Sequence, residues 1–333
     1  MTDPVECFFK PFYDWSEPTV TENKQEEVQV KADFSESKSV FFEGEDVVVK
    51  AAIIVTNPLD APYTVEPRCF INDRKENSYE MELLPSPLFE GGALTFRKSE
   101  IEQRASVTCR KRGGLEIVQE KDTLGETIKE RAPVGELKKE IEGYDFELHL
   151  ERNIVARAEW NVYTMNKEAL ALKDDPFAGI QENLRGRTVL SKMKYASPLK
   201  VVIGSDNDQP FFEGSWPFSV ILRKRDIDGN ITLIKSVTIH DPKSRTVRLS
   251  QPCEFDEGFD SYSLSSDKVG KATRILKERD TPIDIQCTLQ VQNLDSSKLT
   301  PEKSIVSANV EFQFESIYEL PITILKESVN ERV

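Results

Sequence analysis

Apolar and polar positions alternate with a period of two along most of this chain, the spacing of a half-buried strand. Val47–Thr56 (VVVKAAIIVT) is β-branched and largely apolar. Tyr144–Glu151, Val201–Ile203, Phe218–Leu222, Ile231–Ile239, Ile283–Val291 and Ile305–Phe314 show alternation or short apolar runs. Turn signals separate them at Asn57-Pro58, Gly91-Gly92, Asp228-Gly229-Asn230 and Asp241-Pro242. Strands at this spacing predict antiparallel sandwiches. Helical signal is confined to Asn166–Leu172 and Pro176–Leu184. Lys268–Arg279 stays open between helix and irregular chain, because its counterpart around Gly92–Arg104 reads as irregular.

The strand pattern repeats. Phe-Phe-Glu-Gly occurs at Phe41–Gly44 and again at Phe211–Gly214, 170 residues later. Gly92–Cys109 lies against Gly270–Cys287, ending on cysteines 178 residues apart, and Tyr144–Glu151 lies against Val310–Ile317 at an offset of 166. Unequal offsets in conserved order mean short insertions, which loops absorb at little cost. The expected fold class is therefore all-β: two tandem antiparallel β-sandwich domains related by internal duplication. The expected bounds are 1–165 for the first sandwich, 166–189 for a connector and 190–333 for the second. Phe-Phe-Glu-Gly itself reads as a fold signature, one ring buried and the next exposed before a Glu-Gly turn.

Charge narrows the partners. The net charge is −14, and the first 50 residues hold twelve Asp and Glu against five Lys. This favours solubility and argues against a nucleic-acid footprint. Basic clusters at Arg110-Lys111-Arg112, Arg185–Lys194 and Arg223-Lys224-Arg225 read as solvated faces. No stretch approaches the roughly 20 apolar residues of a transmembrane helix. The start, MTDPVECFFKPFYDW, lacks the basic and apolar runs of a signal peptide. The five cysteines (Cys7, Cys69, Cys109, Cys253 and Cys287) are odd in number and widely spaced. They form no CxxC or Cys/His cluster for zinc. Cys69, Cys109 and Cys287 lie in or beside strand-like runs and are expected to be reduced core residues, all five thiols being free. Together these features point to a cytoplasmic protein.

Chemistry-bearing residues are few. His149 and His240 are the only histidines, and neither lies in a nucleophile motif. Asp206, Asp208, Asp226 and Asp228 form loose acidic loops without the twelve-residue calcium pattern, so turn chemistry is the simpler reading. No glycine-rich phosphate loop occurs. The expectation is no catalytic, metal or cofactor-binding residue and no cofactor.

VKADFSESKSVFFEGEDVVVKAAIIVTN (Val30–Asn57) resembles a characteristic segment of arrestin-like domains: strand, polar turn, aromatic pair, Glu-Gly, then a Val-rich strand ending at Thr-Asn. VVIGSDNDQPFFEGSWPFSVILRK is similar, RTVLSKMKYAS (Arg187–Ser197) resembles the strand closing the first arrestin domain, and IYELPITILKES (Ile317–Ser328) resembles the end of the second. Strand–Gly–strand–Thr-Asn-Pro-Leu patterns also occur in the C-terminal barrels of transglutaminases and in other immunoglobulin-like domains. The chain departs from receptor-reading arrestins: Glu26–Glu36 is acidic on balance, and phosphate recognition needs exposed Lys and Arg. No Pro-Pro-x-Tyr ligand is present, and no residue matches the ionic cluster that links arrestin domains. The resemblance implies a fold and a binding role.

The expected function is a non-enzymatic cytosolic scaffold or adaptor that binds protein partners with basic surfaces. Glu22, Glu26 and Glu27, in the acid-rich N-terminal segment, are expected to speed their association. The alternative is a structural or cytoskeletal filament-associated protein that joins its partners through sheet edges.

Overall fold

Two strands of 24 residues run antiparallel through the middle of the molecule and are paired along their whole length, from Ile141↔Leu325 to Thr164↔Glu302. At about 3.3 Å per residue they span roughly 80 Å. The structure, a computed structural model, describes residues 28–325 apart from 60–61, 74–77, 85–88, 91, 116–140, 172–191, 194–196, 226–227, 241, 243, 252, 258–260 and 279–280. Glu22, Glu26, Glu27, Cys7, Asp226, Pro176–Leu184 and most of the Arg185–Lys194 cluster lie outside the described residues.

The elements in chain order are β1 (Gln29–Asp33), β2 (Val40–Phe42), β3 (Val47–Asn57), β4 (Tyr63–Asp73), β5 (Ser78–Glu80), β6 (Glu82–Leu84), β7 (Phe89–Glu90), β8 (Ala93–Phe96), β9 (Ser99–Lys111) and β10 (Ile141–Thr164). After α1 (Lys167–Ala171) come β11 (Lys192–Met193), β12 (Leu199–Gly204), β13 (Gly214–Lys224), β14 (Asn230–His240), β15 (Val247–Ser250), β16 (Asp256–Glu257) and β17 (Ser261–Ser263). Helix α2 (Ser266–Glu278), β18 (Ile283–Val291) and β19 (Glu302–Leu325) complete the set.

The fold is all-β. The central sheet holds eleven strands, with β14-β19-β10-β4 at its middle. Two four-stranded sheets, ordered β1-β3-β9-β6 and β12-β13-β18-β15, pack against it. Both place the strand that follows Phe-Phe-Glu second in the order, and a cysteine-bearing strand third. Pairing is antiparallel, except that β2 lies parallel to the end of β19 and Phe211 bridges parallel to Thr164 at the end of β10.

Alternation places the cores. Tyr144, Phe146, Leu148 and Leu150 of β10 face the first core with Ile53, Val65 and Ile71. Further along the same face of β10, Ala156, Ala158, Trp160 and Val162 enter the second core with Val220, Leu222 and Phe312. β19 does the reverse: Val306 to Phe314 serve the second core, and Ile322 and Ile324 the first. Each core is thus completed by strand ends from across the expected 166–189 boundary.

The aromatic pairs pin these ends. Phe41 is buried and Phe42 is 43% exposed. Ser39 and Leu325 carbonyls accept from Thr323 and Glu43 N–H respectively. In the second half Phe211 is fully buried, donates its N–H to Tyr163 O at 2.8 Å and accepts from Met165 N–H at 3.1 Å. The Glu43-Gly44 turn is clamped: Glu45 accepts from Phe42 N–H at 2.9 Å and from Lys38 at 2.6 Å. Asp46 accepts from Arg110 Nε at 3.0 Å and Gly113 N–H at 2.9 Å. Gly114 must be glycine here, because a Cβ would lie 2.5 Å from the Gly44 carbonyl carbon, at φ +66°.

The hydrogen bond from Arg110 is the main reason the Asp46 carboxyl sits below the usual aspartate range, with Gly113 N–H adding to it. A depressed folded pKa stabilises fully above the unfolded value, about 3.9, and is lost as pH falls through the folded value. Asp46→Asn should therefore lower the urea midpoint at pH 7, and the gap to wild type should be smaller at pH 3. A gap of equal size at both values would show that Asp46 contributes no ionic stabilisation.

The expectation of free thiols is corrected. Cys69 pairs with Cys109 and Cys253 with Cys287. β4 and β9 face each other across the first core, so inward-pointing cysteines on them meet despite a sequence separation of 40. The open question at Lys268–Arg279 resolves as helix: Val269, Ala272 and Leu276 follow helical spacing and bury one face of α2 in the second core.

Candidate binding face

Because both cores use the even-numbered side chains of β10 and β19, the odd-numbered ones share the opposite face of the central sheet. Much of this face is open: Val155 is 55% exposed, Ile305 47% and Ile317 41%. Its outward positions on β10 and β19 carry seven carboxylates (Asp145, Glu147, Glu151, Glu159, Glu311, Glu315 and Glu319) against two cations, Arg157 and Lys303.

The carboxylates are not evenly dispersed. Glu147 lies directly opposite Glu319, and Glu151 sits between Glu315 on one side and Glu66 on the other. Like charges directly opposed across strands are destabilising. Neighbouring polar side chains take up part of this. His149 places Nδ1 2.8 Å from Glu315 and Nε2 2.8 Å from Glu147, and Phe70 meets its ring edge-on at 4.7 Å. Arg68 lies 3.7 Å from Glu151. Further along, Arg157 lies 3.1 Å from Glu159, and Lys235 donates to Asn153 at 2.6 Å.

Apolar side chains share the face. Of the nine large hydrophobic residues exposed among the described ones, six are on it: Val40, Phe42, Val155, Leu233, Ile305 and Ile317. Val155 and Leu233 flank the Glu311–Gln313 segment of β19, and Ile317 is opposite His149.

The residues weighed in sequence do not converge. His149 is engaged with carboxylates and a phenyl ring, while His240 contacts Asn309 at 2.9 Å. Their cross-strand partners, Ile317 and Ser307, are ten positions apart on β19. Asp206 and Asp208 precede β13 and Asp228 follows it, so an 11-residue strand separates them. Among the described residues no three His, Cys, Asp or Glu side chains form a metal-binding group.

Sequence reasoning missed Arg152. It is buried where the two cores meet, donates to Ser316 Oγ, and lies 4.8 Å over the Phe314 ring. Ser316 in turn donates to the Asp228 carbonyl at 3.3 Å. Nearby, Tyr318 donates to Val30 O at 2.7 Å, and burial raises its phenol pKa despite the opposing charge of Arg152. Nothing in the run Glu151–Ile154 distinguishes this arginine from surface ones; only the change of core at midstrand does.

No protein-family model matches this chain, and no curated protein matches it. Among solved structures, the C-terminal globular domain of an oligosaccharyltransferase from Pyrococcus abyssi is similar at 8% identity, covering 87% of this chain and 46% of that one, with a TM-score of 0.19. A likeness of that size carries no argument about fold or activity. No helix among the described residues is long and apolar enough to cross a membrane.

Proposed function

We propose that this chain is a non-enzymatic scaffold or adaptor that holds a protein partner on the open face of its central sheet. The observation that carries the reading is the gathering of six of nine exposed large apolar residues on that face, among an excess of carboxylates. Concentrated apolar exposure marks interaction surfaces, and the charge excess favours a partner with a basic, partly apolar surface. The carboxylates opposed without a partner would be relieved by its cations. An origin by duplication belongs to the same proposal, supported by the matching order of the two small sheets and by Phe41 and Phe211 each pinning a long-strand end. The arrestin-like resemblance is consistent with this binding role. The two disulfides weigh against a cytoplasmic setting.

The test is site-specific photo-crosslinking at Val155 and Ile317, with Ile101 and Leu299 as exposed controls off the face. The same adduct should form at both face positions and at neither control. Glu311→Lys combined with Glu319→Lys should reduce it several-fold at low salt. Equal labelling at the controls, or adducts indifferent to the charge reversals, would remove this face as the docking site.

A further inference from the structure

We infer that this chain matures in an oxidising compartment, where a thiol–disulfide oxidoreductase introduces one structural bond into each half of the fold. The two bonds are placed alike at one end. Cys109 and Cys287 occupy β9 and β18, the third strand of each small sheet. Each then reaches into a different layer. Cys69 is on β4 of the central sheet, so Cys69–Cys109 joins the two layers through the first core. Cys253 precedes β16 at the edge of the central sheet, so Cys253–Cys287 ties the second small sheet to the segment entering that edge. The bonds close 40 and 34 residues of chain. Bonds of this kind persist in secreted and lumenal proteins and are rare where thiols are kept reduced.

Burial separates a structural role from a reversible switch. Cys69 is 1% exposed and Cys109 0%. No oxidant or reductant reaches sulfurs enclosed between two sheets, so the bond forms before the layers close. The chemistry is exchange. A cysteine thiolate of this chain attacks the donor's disulfide and expels one donor thiolate, giving a mixed disulfide. The second thiolate of the pair then displaces the remaining donor sulfur. Each bond oxidises two thiols of this chain and reduces one donor disulfide to two thiols. Cys253 is only partly buried, so in the folded protein Cys253–Cys287 is the bond open to exchange. This inference is independent of the docking face, since it rests on the cores and not on the outer side of the sheet.

The experiment takes the full chain from its native cells, with thiols blocked during lysis. It is unfolded in guanidinium without reductant, alkylated and mapped by mass spectrometry. Cys69–Cys109 and Cys253–Cys287 should appear as linked peptides, leaving Cys7 the one alkylated position, with five alkylated after reduction. An alkyl group on Cys69, Cys109, Cys253 or Cys287 before reduction, or any other pairing, overturns the inference. In the folded protein a mild reductant should open Cys253–Cys287 first. Full reduction should lower the Tm on the order of 10 °C. Reduction that opens Cys69–Cys109 first, or leaves the Tm unchanged, also counts against it.

Discussion

Expressed separately, residues 1–165 and 190–333 should each fail to fold cooperatively and should regain structure when mixed. The first fragment lacks the end of β19, which supplies Ile322 and Ile324 to the first core and pairs with β2. The second lacks β10, which supplies Ala156, Ala158, Trp160 and Val162 to the second core. Full burial of one large apolar side chain contributes about 1.5–3 kcal/mol. A domain's whole margin is about 5–15 kcal/mol, so losing two such large residues from each core, with two alanines besides in the second, removes a large share of it. Each orphaned long strand would also expose backbone groups that its partner satisfies over 24 positions. Circular dichroism and urea titration of each fragment and of the equimolar mixture would check this. A cooperative transition in either fragment alone would show that its core closes without the exchanged strand.

The second large effect centres on Trp160. Its ring lies 6.0 Å from Phe211 and 5.6 Å from Phe218, and Phe211 stacks at 5.2 Å on Trp216. Trp160→Ala should cost about 3–5 kcal/mol, from lost burial and the cavity left behind. Trp160 Nε1 finds no partner among the described residues, so the indole N–H contributes no hydrogen bond there. Trp160→Phe should therefore recover most of the loss, to within about 1.5 kcal/mol of wild type. Urea denaturation of both variants decides it. A Phe variant as unstable as Ala would mean that the indole nitrogen has a partner, such as bound water.

Much of the strand content was legible because alternating residues such as Val47–Asn57 bury every second side chain. β10 was legible only in its first third. Beyond Leu150 its inward positions are Arg152, Ile154 and two alanines before Trp160, too weak an apolar signal to read as one continuous strand. Helix α2 was obscured by comparison with β8 and β9, which took another structure at the corresponding place. The disulfides were hidden because pairing depends on which strands face one another, and an odd, wide cysteine spacing gives no hint of that. The binding face was hidden for the same reason. Glu66, Glu151 and Glu315 are far apart in sequence and become one row of acid only once β4, β10 and β19 are in register.

The paired long strands also impose a phase on the gene. A single codon inserted near Asn153 would turn every later side chain of β10 to the opposite side, sending Trp160 and Val162 toward solvent and Arg157 and Glu159 toward the second core. A two-codon insertion would keep the sides but slide β10 against β19, unsettling Phe211's hold on Thr164. Loops between the short strands are free of this arithmetic, because length changes there cost little. Length change in related chains should therefore be parity-restricted within β10 and β19 and unrestricted outside them. That makes the midpoint of the molecule, where Arg152 lies, its least editable stretch.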